Sequence, residues 1–150
     1  MVKKISLMDA FIIETLRKNG VSNQEIIQHV ERKDVARFRT YHASFDFNEL
    51  IQLEERLGTA EFQKVLSEGY SIKFVTYNGL KNLLFLKFDK IEDRDYELGD
   101  DGFSQLRLDE DQGEQLEKML SGNWKIEFMG KEKNCVFMDV YLTNSLIGNV

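Results

Sequence analysis

The stretch YSIKFVTYNGLKNLLFLKFD, Tyr70 to Asp89, decides how the rest of the chain is read. Asn78 and Gly79 stand between two apolar-rich runs, and Asn-Gly best tolerates the positive φ that both central residues of a type I′ turn require. The expectation is a β-hairpin in which Tyr77 faces Leu80, Val75 faces Asn82, Phe74 faces Leu83 and Ile72 faces Phe85. One face then carries Tyr70, Ile72, Phe74, Leu83 and Phe85, a core face. Leu83 to Leu86 is apolar on both sides, which places the second strand inside the sheet with cover above and below.

Downstream of the hairpin, Ile91 to Gly102 holds Glu92, Asp93, Asp95, Glu97, Asp100 and Asp101 and reads as a long acidic loop. Phe103 to Leu108 is a short strand. Asp109 or Asp111 caps a helix through Leu116, Met119 and Leu120 that Gly122 stops. Trp124, Ile126 and Phe128 alternate with Lys125 and Glu127, a half-buried strand. Gly130 to Lys133 turns the chain into a last alternating strand, Val136, Met138, Val140 and Leu142, before a tail from Thr143 to Val150.

Upstream, the pattern is helical. Ser6 with Asp9 makes a capping box opening a helix over about Leu7 to Lys18, with Met8, Phe11, Ile12 and Leu16 on one face and Gly20 closing it. Ser22 and Glu25 cap a second helix carrying Ile26, Ile27 and Val30. Glu31 to His42, where Val35, Phe38 and Tyr41 recur at threes, reads as a short third helix. Asp46 opens a fourth with Leu50, Leu53 and Leu57 buried, and after Gly58 a fifth runs through Phe62, Val65 and Leu66 to Gly69. These last two are expected as a bent pair on the hairpin. The fold class is therefore α+β, N-terminal helices followed by a mostly antiparallel sheet of about five strands with one inserted helix.

A chain of 150 residues, 42% hydrophobic and 11% aromatic, can bury one real core. No run approaches the roughly 18 apolar residues of a membrane span, and Met1 to Ser6 has no signal-like apolar block, so a soluble, cytoplasmic protein without a membrane partner is expected. Cys135 is the lone cysteine, read as a buried core thiol in a reducing compartment. Nothing physical in the sequence accounts for the absence of proline. The net charge of −6 is uneven: residues 1–42 carry eight Lys or Arg against five Asp or Glu, a net +3, leaving −9 for the other 108 residues. That contrast divides the chain into a basic helical head, 1–42, and an acidic α+β body, 43–150, and confines any nucleic-acid contact to the head.

The head, with its helix, Gly20, Ser22 cap, Glu25, Ile26 and basic third segment, resembles the helix-turn-helix arrangement of DNA-binding domains over about Met8 to Tyr41. The resemblance implies a third helix in the major groove, with Lys33, Arg37, Arg39 and Thr40 reaching phosphates or base edges. In the body, Asp93, Asp95 and Glu97 alternate as calcium ligands do. Leu98 stands where the loop needs Gly and Ser104 where it needs a bidentate Glu, so a basic protein partner is expected there rather than a metal. His29 and His42 lack metal or nucleophile spacing, and Gly99 and Gly102 flank acids that repel phosphate. No catalytic residue, cofactor or metal is expected. Two readings follow: a small non-enzymatic regulatory protein whose head contacts DNA, or an interaction module or inhibitor docking through its acidic loop. A homodimer is compatible with either.

Overall fold

The structure, a computed structural model, describes residues 3–143, so all but the first residue of the expected tail lies outside the described residues. Strand β1 (Lys4–Ile5) leads into α1 (Leu7–Lys18), where the Ser6 hydroxyl accepts the Asp9 N–H at 3.0 Å. Helix α1 buries Ile12, Ile13 and Leu16, while Met8, expected on that face, is exposed. Helix α2 (Asn23–Glu31) has the full reciprocal capping box of Ser22 and Glu25 and buries Ile26 and Val30.

The third helix of the sequence reading is instead a five-residue 3-10 helix, Ala36–Thr40. Its own spacing explains the difference. Apolar residues three apart fall on one side of a helix with three residues per turn, and Val35 and Phe38 are both buried. Helices α3 (Asn48–Leu57) and α4 (Thr59–Glu68) follow, joined at Gly58, whose φ of +89° suits glycine. Asp46, expected to cap α3, stands one residue short of it: Phe47 holds the N-cap position with no side-chain capping bond, and the Asp46 carboxylate accepts the Asn48 N–H at 3.1 Å.

The Tyr70–Asp89 hairpin does not form. Ser71–Ile72 is strand β2, pairing in parallel with β1 in the register Lys4 to Ser71 and Ile5 to Ile72. Tyr77–Phe88 is helix α5, started by the Thr76 hydroxyl, which accepts the Gly79 N–H at 3.0 Å. Leu80, Leu83, Leu84 and Phe88 are buried at helical spacing, and each full burial of a leucine is worth about 1.5–3 kcal/mol. Phe74 and Phe85, placed by the hairpin in the core, are 56% and 43% exposed. Gly79 serves packing rather than a turn: a Cβ there would sit 2.7 Å from Leu7 Cδ2, so glycine lets α5 approach α1. Val75 finds its partners in the body, its N–H donating to Ser121 Oγ at 2.9 Å and its carbonyl accepting Trp124 Nε1–H at 2.7 Å.

The remaining elements are β3 (Glu97–Leu98), β4 (Gly102–Asp109), α6 (Glu110–Met119), β5 (Trp124–Glu132) and β6 (Cys135–Leu142). They form an antiparallel sheet in the order β3-β4-β6-β5, with α6 inserted between β4 and β5. Asp109 caps α6 in a box with Gln112, and the helix settles closely on β6, since a Cβ on Gly113 would lie 3.3 Å from Val136 Cγ2. The fold is α+β, as the sequence predicts, with four strands in the main sheet and the parallel β1–β2 pair beside the helices. Buried residues from Ile5 through Leu84 to Val140 make one core cluster. Cys135 is half-buried at the start of β6 rather than a core thiol. Among the described residues no helix is long and apolar enough to cross a membrane.

Candidate functional site

Of the four head residues, Arg37, Arg39 and Thr40 sit on the 3-10 helix and Lys33 precedes it with φ +55°. All four are exposed, while Phe38 between the two arginines is buried against His29 and Phe47. Thr40 donates its hydroxyl to the Arg37 carbonyl at 2.9 Å, a local turn bond. Lys33 and Arg39 share the rim of a cavity of about 470 Å³, but Asp34 and Asp46 line it too, and Lys33 lies 3.8 Å from Glu55. The cations are thus held beside carboxylates.

The three acids of the body do not converge. Asp93 and Glu97 are exposed, Glu97 lying on β3 opposite Ser104. Asp95 turns inward, accepting the Ile91 N–H at 2.9 Å and Arg94 Nε–H at 2.8 Å. Desolvation pushes its carboxyl up, but the Ile91 bond and the Arg94 guanidinium outweigh that and hold it below the usual carboxylate range. Asp95 therefore braces the loop. The loop is pinned further by Tyr96 against Phe103 and by the Tyr77 hydroxyl, which donates to the Gly99 carbonyl at 2.7 Å.

The opposite side of the sheet ends, among the described residues, at β5. Strand β5 is nine residues long and, among the described residues, pairs on one side only, with β6. Open edges of this length are commonly blunted by brevity, inward charge or a covering element. Here a register shift between Phe128 and Gly130 bends the strand, and Phe128 and Met129 are left 54% and 57% exposed.

Beside Phe128, α6 and the β5–β6 pair enclose a groove of about 300 Å³, floored by Phe128 and Val136 and walled by Glu110, Glu114 and Glu117. Lys131 is ion-paired with Glu110. Among the described residues Glu114 and Glu117 have no cationic partner. Sequence reading found the alternation of β5 but not its place at the edge. The one available signal was Met129 directly after Phe128, two apolar residues where alternation calls for one.

Among the described residues no group of His, Cys, Asp and Glu is placed to hold a metal ion. His29 and His42 lie apart in role: His29 packs edge-on against Phe38, and His42 stacks on Phe45 at 3.7 Å. Comparison with protein-family models, with curated proteins and with solved structures finds no match to this chain.

Proposed function

We propose that this protein is an interaction module that takes an extended segment of a partner protein onto the free edge of β5, the segment alternating apolar residues with Lys or Arg. The carrying observation is that, among the described residues, the nine-residue β5 pairs on one side only, with Phe128 and Met129 exposed beside the carboxylates Glu114 and Glu117, which have no cationic partner there. An added strand gains main-chain hydrogen bonds from the edge, and alternate side chains enter the groove, where apolar ones meet Phe128 and cations meet the acidic wall. The chain's net charge of −6 favours a basic segment over a second copy of itself.

The test uses a synthetic ten-residue peptide alternating Lys and Ile, a Glu-Ile counterpart and a proline-interrupted version, followed by amide NMR. The Lys-Ile peptide is expected to bind saturably and to shift the amides of β5. Phe128→Lys with Met129→Lys should weaken it at least tenfold while changing stability by no more than about 0.5 kcal/mol, since both sites are exposed. Equal binding of all three peptides, or shifts away from β5, would sink the proposal.

A second reading, the head contacting DNA, is favoured by one observation: Phe38 is anchored in the core and leaves Arg37 and Arg39 exposed on either side. A 3-10 turn offers phosphate contacts rather than a groove-reading helix. Anisotropy of a labelled duplex should then rise at low salt, fall steeply with added salt and vanish in Arg37→Glu, Arg39→Glu. A flat titration at low salt removes this reading.

A further inference from the structure

A second cavity, of about 310 Å³, opens where the ends of α1 and α5 meet the start of α6. Its polar lining is Glu14, Arg17, Lys18, Lys87, Gln112 and Gln115. The Glu14 side chain is only 3% exposed, and its Oε2 accepts three donors: Arg17 Nη1 at 3.2 Å, Lys87 Nζ at 3.0 Å and the Tyr70 hydroxyl at 2.5 Å. Arg17 is fixed further by Asn23 Oδ1 at 3.0 Å and by the Leu66 carbonyl. Lys18 is held over the Phe85 ring at 4.3 Å and by Asp89, which approaches from outside the cavity at 3.4 Å.

Three cations line this space with the Glu14 carboxylate, and with Asp89 counted against Lys18 they leave an excess of one positive charge. Their donors are not exhausted. An ammonium has three N–H groups and a guanidinium five, so Lys87 and Arg17 each keep two beyond the bonds described, and the amide nitrogens of Gln112 and Gln115 add more. The carboxylate and its surroundings hold these donors in place before any ligand arrives, which lowers the ordering cost of binding.

We infer that this cavity binds a phosphate group, its negative charge meeting the cationic excess and its oxygens the convergent donors. Leu86 and Phe88 make part of the wall apolar, so the ligand is a phosphate monoester with a small apolar group rather than free phosphate. The inference does not rest on the β5 edge: the two sites share only α6, and none of the residues lining one lines the other.

The experiment is calorimetric titration of the full chain at constant ionic strength with phenyl phosphate, inorganic phosphate and benzoate, followed by amide NMR. Phenyl phosphate is expected to bind at one site, tighter than inorganic phosphate, with benzoate weakest. Amide shifts should centre on Lys18, Lys87 and Gln115. Lys18→Gln should weaken phenyl phosphate about tenfold, and Gln115→Glu, which adds a carboxylate at an exposed position, should abolish it without touching the buried network. Inorganic phosphate binding as tightly as phenyl phosphate would overturn the monoester assignment. No saturable binding, binding unchanged in both variants, or shifts centred on Arg37 and Arg39 would overturn the site.

Discussion

Gly102→Ala is expected to cost about 3 kcal/mol of folding stability, far more than an alanine usually costs a strand. Gly102 pairs with Tyr141 at the start of β4, and a Cβ there would meet the Val140 carbonyl oxygen and come within 2.7 Å of Tyr141 Cα. Both obstacles are main chain of the central strand β6, so no side-chain rotation relieves them. The strands must separate at that end or the register must slip, and a slip by one residue turns the core face outward. Urea unfolding measures the effect, with Gly113→Ala as comparison. There the new methyl meets side-chain atoms, Val136 Cγ2 at 3.3 Å and Met138 Cε at 3.5 Å, which can give way. A Gly102→Ala loss below about 1 kcal/mol would show that the β4–β6 junction is looser than its geometry.

Glu14→Ala should destabilise by a similar amount, about 3 kcal/mol, through a different cause. The substitution leaves the Tyr70 hydroxyl without its acceptor and strands Arg17 and Lys87, whose side chains are 23% and 12% exposed, facing each other without the intervening carboxylate. Glu14→Gln separates the two parts, since the amide oxygen still accepts while the negative charge is lost. The network also carries a signature in alkali. Burial first, then the Glu14 carboxylate, raise the Tyr70 phenol well above its ordinary value of 10.0. A raised folded value means stability is full below about pH 10 and declines as pH climbs toward the folded value, because the unfolded phenol ionises first. Tyr70→Phe should flatten that alkaline decline. An unchanged slope would mean the phenol titrates as freely as in the unfolded chain.

What could be read from the sequence divides by range. The caps at Ser6, Ser22 and Asp109 act within three residues, and the structure has each of them. The alternation of β5 and β6 is equally local. Asn78–Gly79 misled because a dipeptide preference was asked to decide a tertiary question: Gly79 packs against the Leu7 side chain of α1, and Thr76 offers the helix a start that the turn signal obscured. The buried set Leu80, Leu83, Leu84 and Phe88 fits a helix, yet the same run of leucines fits a doubly covered strand, and periodicity over so short a run does not separate them. The exposure of Arg37 and Arg39 followed from the threefold spacing around Phe38. The edge position of β5 and the meeting of Glu14 with Lys87, 73 residues apart, depend on topology that no local pattern encodes.

The parallel pairing of β1 with β2 bears on the order in which the molecule assembles during synthesis. Lys4 and Ile5 pair with Ser71 and Ile72, and α1 rests along α5, so these segments complete their contacts with segments translated about 70 residues later. At about 5–20 residues per second, α1 waits on the order of seconds for α5. The side of α1 that packs on α5 is therefore expected to be completed only after α5 has been made. A pause in translation before Phe88 would prolong the interval in which the nascent chain is open to chaperones and to aggregation.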